Sequence, residues 1–127
     1  MAIYVQTSGT QSTTSGSFVP IPGLTIALPE GVGVTAIVTL NLPNPYATGN
    51  DFPGGTLGID INGVISPVQA TFTYSEPQPE SSGRIPTTLV VGVPLADKQQ
   101  KITAVWHGVR GSDVIIDSPS SLSAIIG

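Results

Sequence analysis

The chain contains no cysteine, and that absence removes disulfide staples, thiolate nucleophiles and sulfur-ligated zinc sites in one step. Stability has to come from packing or from association of subunits. A single histidine, His107, rules out a multi-histidine metal centre, and no serine sits in a Gly-x-Ser-x-Gly elbow. Charge is scarce as well: Asp, Glu, Lys and Arg make up 9% of the residues, against roughly 25% in an average soluble domain. The four cations, Arg84, Lys98, Lys101 and Arg110, face eight acids for a net charge of −4, so there is no basic stripe for phosphates and nucleic acid is not an expected partner. No apolar run approaches the ~18 residues of a membrane-spanning helix, and no membrane insertion is expected. The start, Met1 to Thr7, carries neither the basic segment nor the apolar core of a secretory signal. The expectation is export to the medium or cell surface by a non-classical route, or otherwise a cytoplasmic protein.

Helical stretches are the other thing missing. Twelve prolines and fifteen glycines recur at short intervals and break most windows long enough for a helix. What remains reads as all-β, in a single domain over residues 1–127 with no internal change of composition. Val34, Ala36, Val38, Leu40 and Leu42 alternate with Thr35, Ile37, Thr39 and Asn41, the period of two that places one strand face on a core. Further strands are expected over residues 3–7, 17–27 in two pieces, 55–61, 64–74, 85–93, 101–110, 114–116 and 122–126. Ile61-Asn62-Gly63-Val64 predicts a type I′ hairpin. Residues 7–17, rich in Ser, Thr and Gly, predict a mobile loop. The second half of 85–93 is apolar on both faces, which fits either a strand between core and subunit interface or one deep in a two-sheet core. This many short strands suggest a jelly roll or a similar two-sheet sandwich.

Asp60-Ile61-Asn62-Gly63 holds a fragment of a calcium-loop pattern, but the later Glu ligand is absent and the hairpin accounts for the residues. No metal or other cofactor is expected. Glycoside hydrolysis needs two carboxylates about 5 to 10 Å apart; Glu76, Glu80, Asp113 and Asp117 could supply a pair, and spacing alone does not test it. The residues that draw attention are Tyr46, Tyr74, Arg84 and Arg110, placed beside loops in a chain with few cations and three tyrosines. A guanidinium offers a planar fork of donors that can span adjacent hydroxyls, and an aromatic ring can cover the apolar face of a sugar. On composition alone the plainer alternative leads: Arg84 and Arg110 pair with Glu80 and with Asp113 or Asp117, and the tyrosines complete the core.

The order of several motifs adds a resemblance. Residues 45–54 (Pro-Tyr-Ala-Thr-Gly-Asn-Asp-Phe-Pro-Gly) are followed by Phe72-Thr73-Tyr74-Ser75, residues 79–84 (Pro-Glu-Ser-Ser-Gly-Arg), Val109-Arg110-Gly111-Ser112, Ile116-Asp117-Ser118 and Ser121-Leu122-Ser123-Ala124-Ile125. In this order they resemble the TNF-like, fucose-binding N-terminal domain of bacterial superlectins, from about Pro20 to the C-terminus. The resemblance implies a TNF-like jelly roll, a homotrimer, and calcium-independent, non-catalytic sites for fucosylated oligosaccharides or related glycans between neighbouring protomers. The positions matching the family's sugar site are Tyr46, Thr73, Tyr74, Ser81, Ser82, Arg84 and Arg110, with Asp117 nearby. Ser82 stands where the family has threonine, and at the rim Thr56 and Ile115 stand where it has tyrosine and histidine. The alternative is a structural or receptor-docking trimer of the same fold without a sugar site.

Overall fold

The structure, a computed structural model, describes residues 1–77 and 83–127. Twelve strands follow one another: β1 (Ala2–Gln6), β2 (Gln11–Thr13), β3 (Val19–Leu28), β4 (Thr35–Leu42), β5 (Pro45–Thr48), β6 (Gly54–Ile61), β7 (Val64–Ile65), β8 (Ala70–Thr73), β9 (Thr87–Pro94), β10 (Gln100–Val109), β11 (Asp113–Ile116) and β12 (Ser121–Ile126). There is no helix among the described residues. Every pairing is antiparallel, in a four-stranded sheet ordered β1-β12-β4-β9, a second sheet β3-β10-β6-β7 in which β8 also pairs with β6, and a small sheet β2-β11-β5.

Alternation sets the layers. In β4 the side chains of Ala36, Val38, Leu40 and Leu42 are buried, and across the ladder β9 supplies Leu89, Val91 and Val93 and β12 supplies Leu122 and Ala124. Ile26, Leu28, Leu57, Ile59, Ile102, Ala104 and Trp106 from the second sheet meet them in one core, and Val114 and Ile116 of β11 join it. At ~25 cal/mol per Å² of apolar surface, burying each of these large side chains favours folding by roughly 1.5–3 kcal/mol. His107 points away from Trp106, as the period requires, and meets the edge of Phe18 at 4.6 Å between ring centres.

Several boundaries fall elsewhere than the sequence predicts. Where a mobile loop was expected over 7–17, Gln11–Thr13 form β2 against β11, and Thr7 is buried in reciprocal hydrogen bonds with Ser120. Small hydroxyl residues carry no apolar signal, yet their backbone can pair with a strand distant in sequence. The 17–27 segment is one strand, irregular opposite Thr103 and Val105 and turned at Gly23 (φ +87°). The 64–74 segment is two strands, since Ser66-Pro67 ends the hairpin arm. β9 starts at Thr87, after Pro86, and its outward face leaves Val90 exposed, so it does not lie inside a two-sheet core. The Asn62-Gly63 turn is as predicted, with φ of +51° and +90°. A second turn of this kind ends β10 at Arg110 (φ +52°) and Gly111 (φ +73°), in the break expected between the strands 101–110 and 114–116.

Candidate functional site

Residues read from sequence as loop form part of a ladder. Pro45–Thr48 is β5, paired with β11 so that Tyr46 lies opposite Ile115 and Pro45 opposite Ile116. Asp117 follows directly on β11, and this register brings its carboxylate to the side of Tyr46. The Ile85 N–H donates to the Pro45 carbonyl at 3.0 Å and ties the chain after Arg84 to the same ladder.

Arg84 is held from two directions. Its NH1 and NH2 donate to the two carboxylate oxygens of Asp117 at 3.1 and 2.9 Å, a bidentate pair. Its guanidinium carbon lies 4.1 Å from the centre of the Tyr46 ring, a cation–π distance. NH1 also approaches the Asn44 carbonyl at 3.5 Å, and Asn44 Nδ2 donates to Ser118 Oγ at 3.1 Å. The pair is partly solvated, with side-chain exposures of 37% and 35%. Clamped in this way, Arg84 presents a charged planar donor of fixed orientation at the surface. It carries five N–H groups, more than Asp117 and Asn44 engage among the described residues.

Tyr74 stands beside this cluster. Its hydroxyl donates to the Gly83 carbonyl at 2.5 Å, one residue before Arg84. Its N–H donates to the Pro53 carbonyl at 2.9 Å, and its ring meets Phe72 edge-on. Burial pushes the phenol above its ordinary pKa, opposed by a hydrogen bond from the Ala47 backbone and by the Arg84 charge. Thr73 is exposed at the end of β8, opposite Gly54. A Cβ on Gly54 would run into the Phe72 carbonyl and lie 2.9 Å from Thr73 Cα, so this crossing of β6 and β8 requires glycine.

Arg110 is placed differently. Its Nε donates to the Asp51 and Phe52 carbonyls at 2.9 and 3.1 Å, and NH2 also reaches Phe52 O. It pairs with neither Asp113 nor Asp117, which the plainer sequence reading allowed; that reading holds for Arg84 alone, with Asp117 as its partner. Arg110 lies five positions from Ile115, the register partner of Tyr46, or up to about 17 Å of extended chain. No hydrogen bond or ring contact among the described residues joins Arg110 to Arg84 or Tyr46. One chain thus brings together Tyr46, Tyr74, Arg84 and Asp117, with Arg110 and Thr73 on the adjoining loop ends. Ser81 and Ser82, like Glu80, lie outside the described residues. The two rim positions are buried in the single chain: Thr56 is 6% exposed, its hydroxyl 2.9 Å from that of Thr71, and Ile115 is 9% exposed on β11, opposite Tyr46 of the neighbouring strand. Asn44 and Ser118, which buttress the arginine, have no chemical signature in the sequence beyond their closeness to Tyr46 and Asp117.

A small antiparallel β-sandwich with a polar, arginine-centred site on its surface is the class that fold and site define. The sequence matches the family described as the Bc2l-C N-terminal domain over residues 2–125. The chain belongs to that family. No curated protein sequence matches it. Among solved structures, the C-terminal domain of EclA, described as a sugar-binding protein, is similar with a TM-score of 0.50 at 11% identity, covering 91% of this chain and 78% of that one. A likeness is also found to the CBM36-1 domain of a multidomain xylanase from the hindgut metagenome of Trinervitermes trinervoides (TM-score 0.48, 17% identity, 98% of this chain and 97% of that one). A CBM36 carbohydrate-binding module in complex with calcium and xylotriose gives 0.45 at 11% identity, with 100% and 99% covered.

Proposed function

We propose that the domain is a non-catalytic, lectin-like carbohydrate-binding module that takes fucose-type sugars of glycoconjugates, without calcium, at sites completed between the protomers of a TNF-like trimer. The observation that carries this reading is Arg84 fixed between the Tyr46 ring and the Asp117 carboxylate. A pre-oriented guanidinium donates charge-assisted hydrogen bonds to vicinal hydroxyls without first losing side-chain freedom. Tyr46 and Tyr74 offer rings to the apolar face or methyl group of a 6-deoxy sugar, while Thr73, with Ser81 and Ser82 on sequence grounds, adds hydroxyls. Membership of the Bc2l-C N-terminal family supports the same assignment. The separate placement of Arg110, facing its own 51–52 carbonyls, supports a site to which a second protomer contributes Arg110. Burial of Thr56 and Ile115 at the rim fits a pocket whose outer wall differs from the one implied by the resemblance, and so a different extension of the glycan.

A single monosaccharide buries few atoms, so dissociation constants on the order of micromolar to millimolar are expected for one site, with avidity on a glycan-covered surface. The test is a glycan array probed with the wild-type protein, Arg84→Ala and Arg110→Ala. Binding to fucosides that both substitutions abolish is the expected result. Silence of the wild-type protein across fucosides and related sugars overturns the reading in favour of a structural or receptor-docking trimer.

A further inference from the structure

The outward face of the β3-β10-β6-β7 sheet holds a cleft of about 420 Å³ that the arginine site does not use. Register builds it in rows. Pro20, Val105 and Gly58 lie side by side across the sheet, then Thr25, Thr103, Asp60 and Ile65, and next to these Lys101 lies beside the Asn62-Gly63 turn. Phe18 forms one wall. A Cβ on Gly58 would stand 3.1 Å from the Phe18 ring and 3.3 Å from Val105, so the absence of a side chain there lets the ring settle on the sheet. Val105 points outward between the core residues Ala104 and Trp106 and is nevertheless 3% exposed. His107 meets the ring edge-on from the side, and the rest of Phe18 stays half-buried at the cleft. The opposite wall is the hairpin turn, fixed by two hydrogen bonds: the Gly63 N–H donates to Asp60 Oδ1 at 2.6 Å, and the Lys101 N–H to Asn62 Oδ1 at 2.7 Å. Asp60 Oδ2, Asn62 Nδ2 and the Lys101 ammonium then have no partner among the described residues.

We propose that this cleft is a second binding site, one that takes a neutral pyranose ring. The chemistry selects the class. The Phe18 ring and Val105 suit the apolar face of a sugar. A carboxylate oxygen, an amide and an ammonium at the rim supply an acceptor and donors for adjacent hydroxyls. An apolar ligand would strip water from those three groups and return no hydrogen bond. An anion would meet Asp60 and a cation would meet Lys101, so the paired charges favour a ligand with none. Size agrees as well, since clefts for small ligands span ~300–1,000 Å³. The site is separate from the one built on Arg84. Asp60 lies six residues along β6 from Gly54, which crosses Thr73, and that is about 20 Å of strand. Each chain would thus present sugar sites at both ends of this sheet, and the second does not depend on the sugar reading of the first.

Two-dimensional amide NMR spectra of the full chain test it, titrated to about 50 mM with the methyl glycosides of galactose, mannose, glucose and fucose, because one small ring is expected to bind at millimolar strength. At least one of the first three sugars should move the amides of Phe18, Asp60, Gly63, Lys101 and Thr103 to saturation, and the shifts should persist in Arg84→Ala. The affinity for that sugar should fall about fivefold or more in Phe18→Leu and in Lys101→Ala, with fucoside binding on the array unchanged for Lys101→Ala. Lys101 is exposed, so this variant decides if Phe18→Leu does not fold. Cleft amides that none of the first three sugars moves overturn the proposal. Shifts confined to Tyr46, Tyr74 and Arg84 overturn it too and support the proposed function alone, whereas cleft shifts beside a silent array uphold the cleft and overturn that function. Cleft shifts whose affinity is the same in Lys101→Ala count against the assignment.

Discussion

Replacing Asp117 by Asn preserves shape and removes the charge that holds Arg84. The bidentate pair is about one-third exposed on each side, and exposed pairs of this kind contribute at most ~1 kcal/mol. A chain of 127 residues unfolds with ~2.1 cal/mol/K per residue, close to 0.27 kcal/mol/K in all, so that loss lowers the melting temperature by about 4 °C. The effect on binding has a separate origin. Without its carboxylate the guanidinium must be ordered when the sugar arrives, at ~0.5–1.5 kcal/mol for a side chain rich in rotamers, which weakens affinity about 2- to 12-fold. Tyr46→Leu, which removes the ring under Arg84, should act in the same direction by ~0.5–1 kcal/mol. Calorimetric titration with a methyl fucoside, beside a thermal melt, reads both quantities. If Asp117→Asn lowers the melting temperature and leaves the affinity unchanged, the orientation of Arg84 has no part in recognition and the argument from the clamp is wrong.

Three other outcomes follow from the geometry. Leu40→Ala, at a fully buried position in the middle of β4, should cost about 3–4 kcal/mol, read as a fall of more than 10 °C in melting temperature. Gly54→Ala drives a methyl group into the Phe72 carbonyl, and no flexible side-chain end can yield; the β6–β8 pairing should open and the urea midpoint should drop well below that of the wild-type protein. Tyr74 has its phenol pKa raised by burial in the folded state, so the folded chain holds that proton more tightly than the unfolded chain. The contribution is fully present below the unfolded value near 10 and is lost as pH rises through the folded one. Denaturant melts between pH 8 and 11 should therefore show a decline in stability that is smaller in Tyr74→Phe, and phenolate absorbance should appear later for one tyrosine of the three.

Legibility in the sequence depended on how local the cause was. The β4 alternation and the Asn62-Gly63 turn follow from side-chain period and backbone sterics within a few residues, and both stand in the structure. β5 and β2 were missed because their residues carry little apolar pattern and their pairing partner, β11, is about 70 and 100 positions away. The site divides along the same line. Tyr46, Tyr74, Arg84 and Asp117 were marked by residue type and motif order, and the structure brings the four together. That Arg84 takes Asp117, and that Arg110 turns to the 51–52 carbonyls, was open in the sequence between several carboxylates.

The sequence by itself determined that this chain is a cysteine-free β protein with no basic surface for nucleic acid and with its informative cations beside tyrosines. Composition and period are properties of residue order, and they act before any long-range contact forms. Only the tertiary structure decided which carboxylate fixes which arginine, which rim positions are buried, and that Phe18, Asp60, Asn62 and Lys101 line one cleft. Those outcomes depend on strand register. A shift of one residue sends every side chain to the opposite face, and the register here joins segments that lie far apart in the chain.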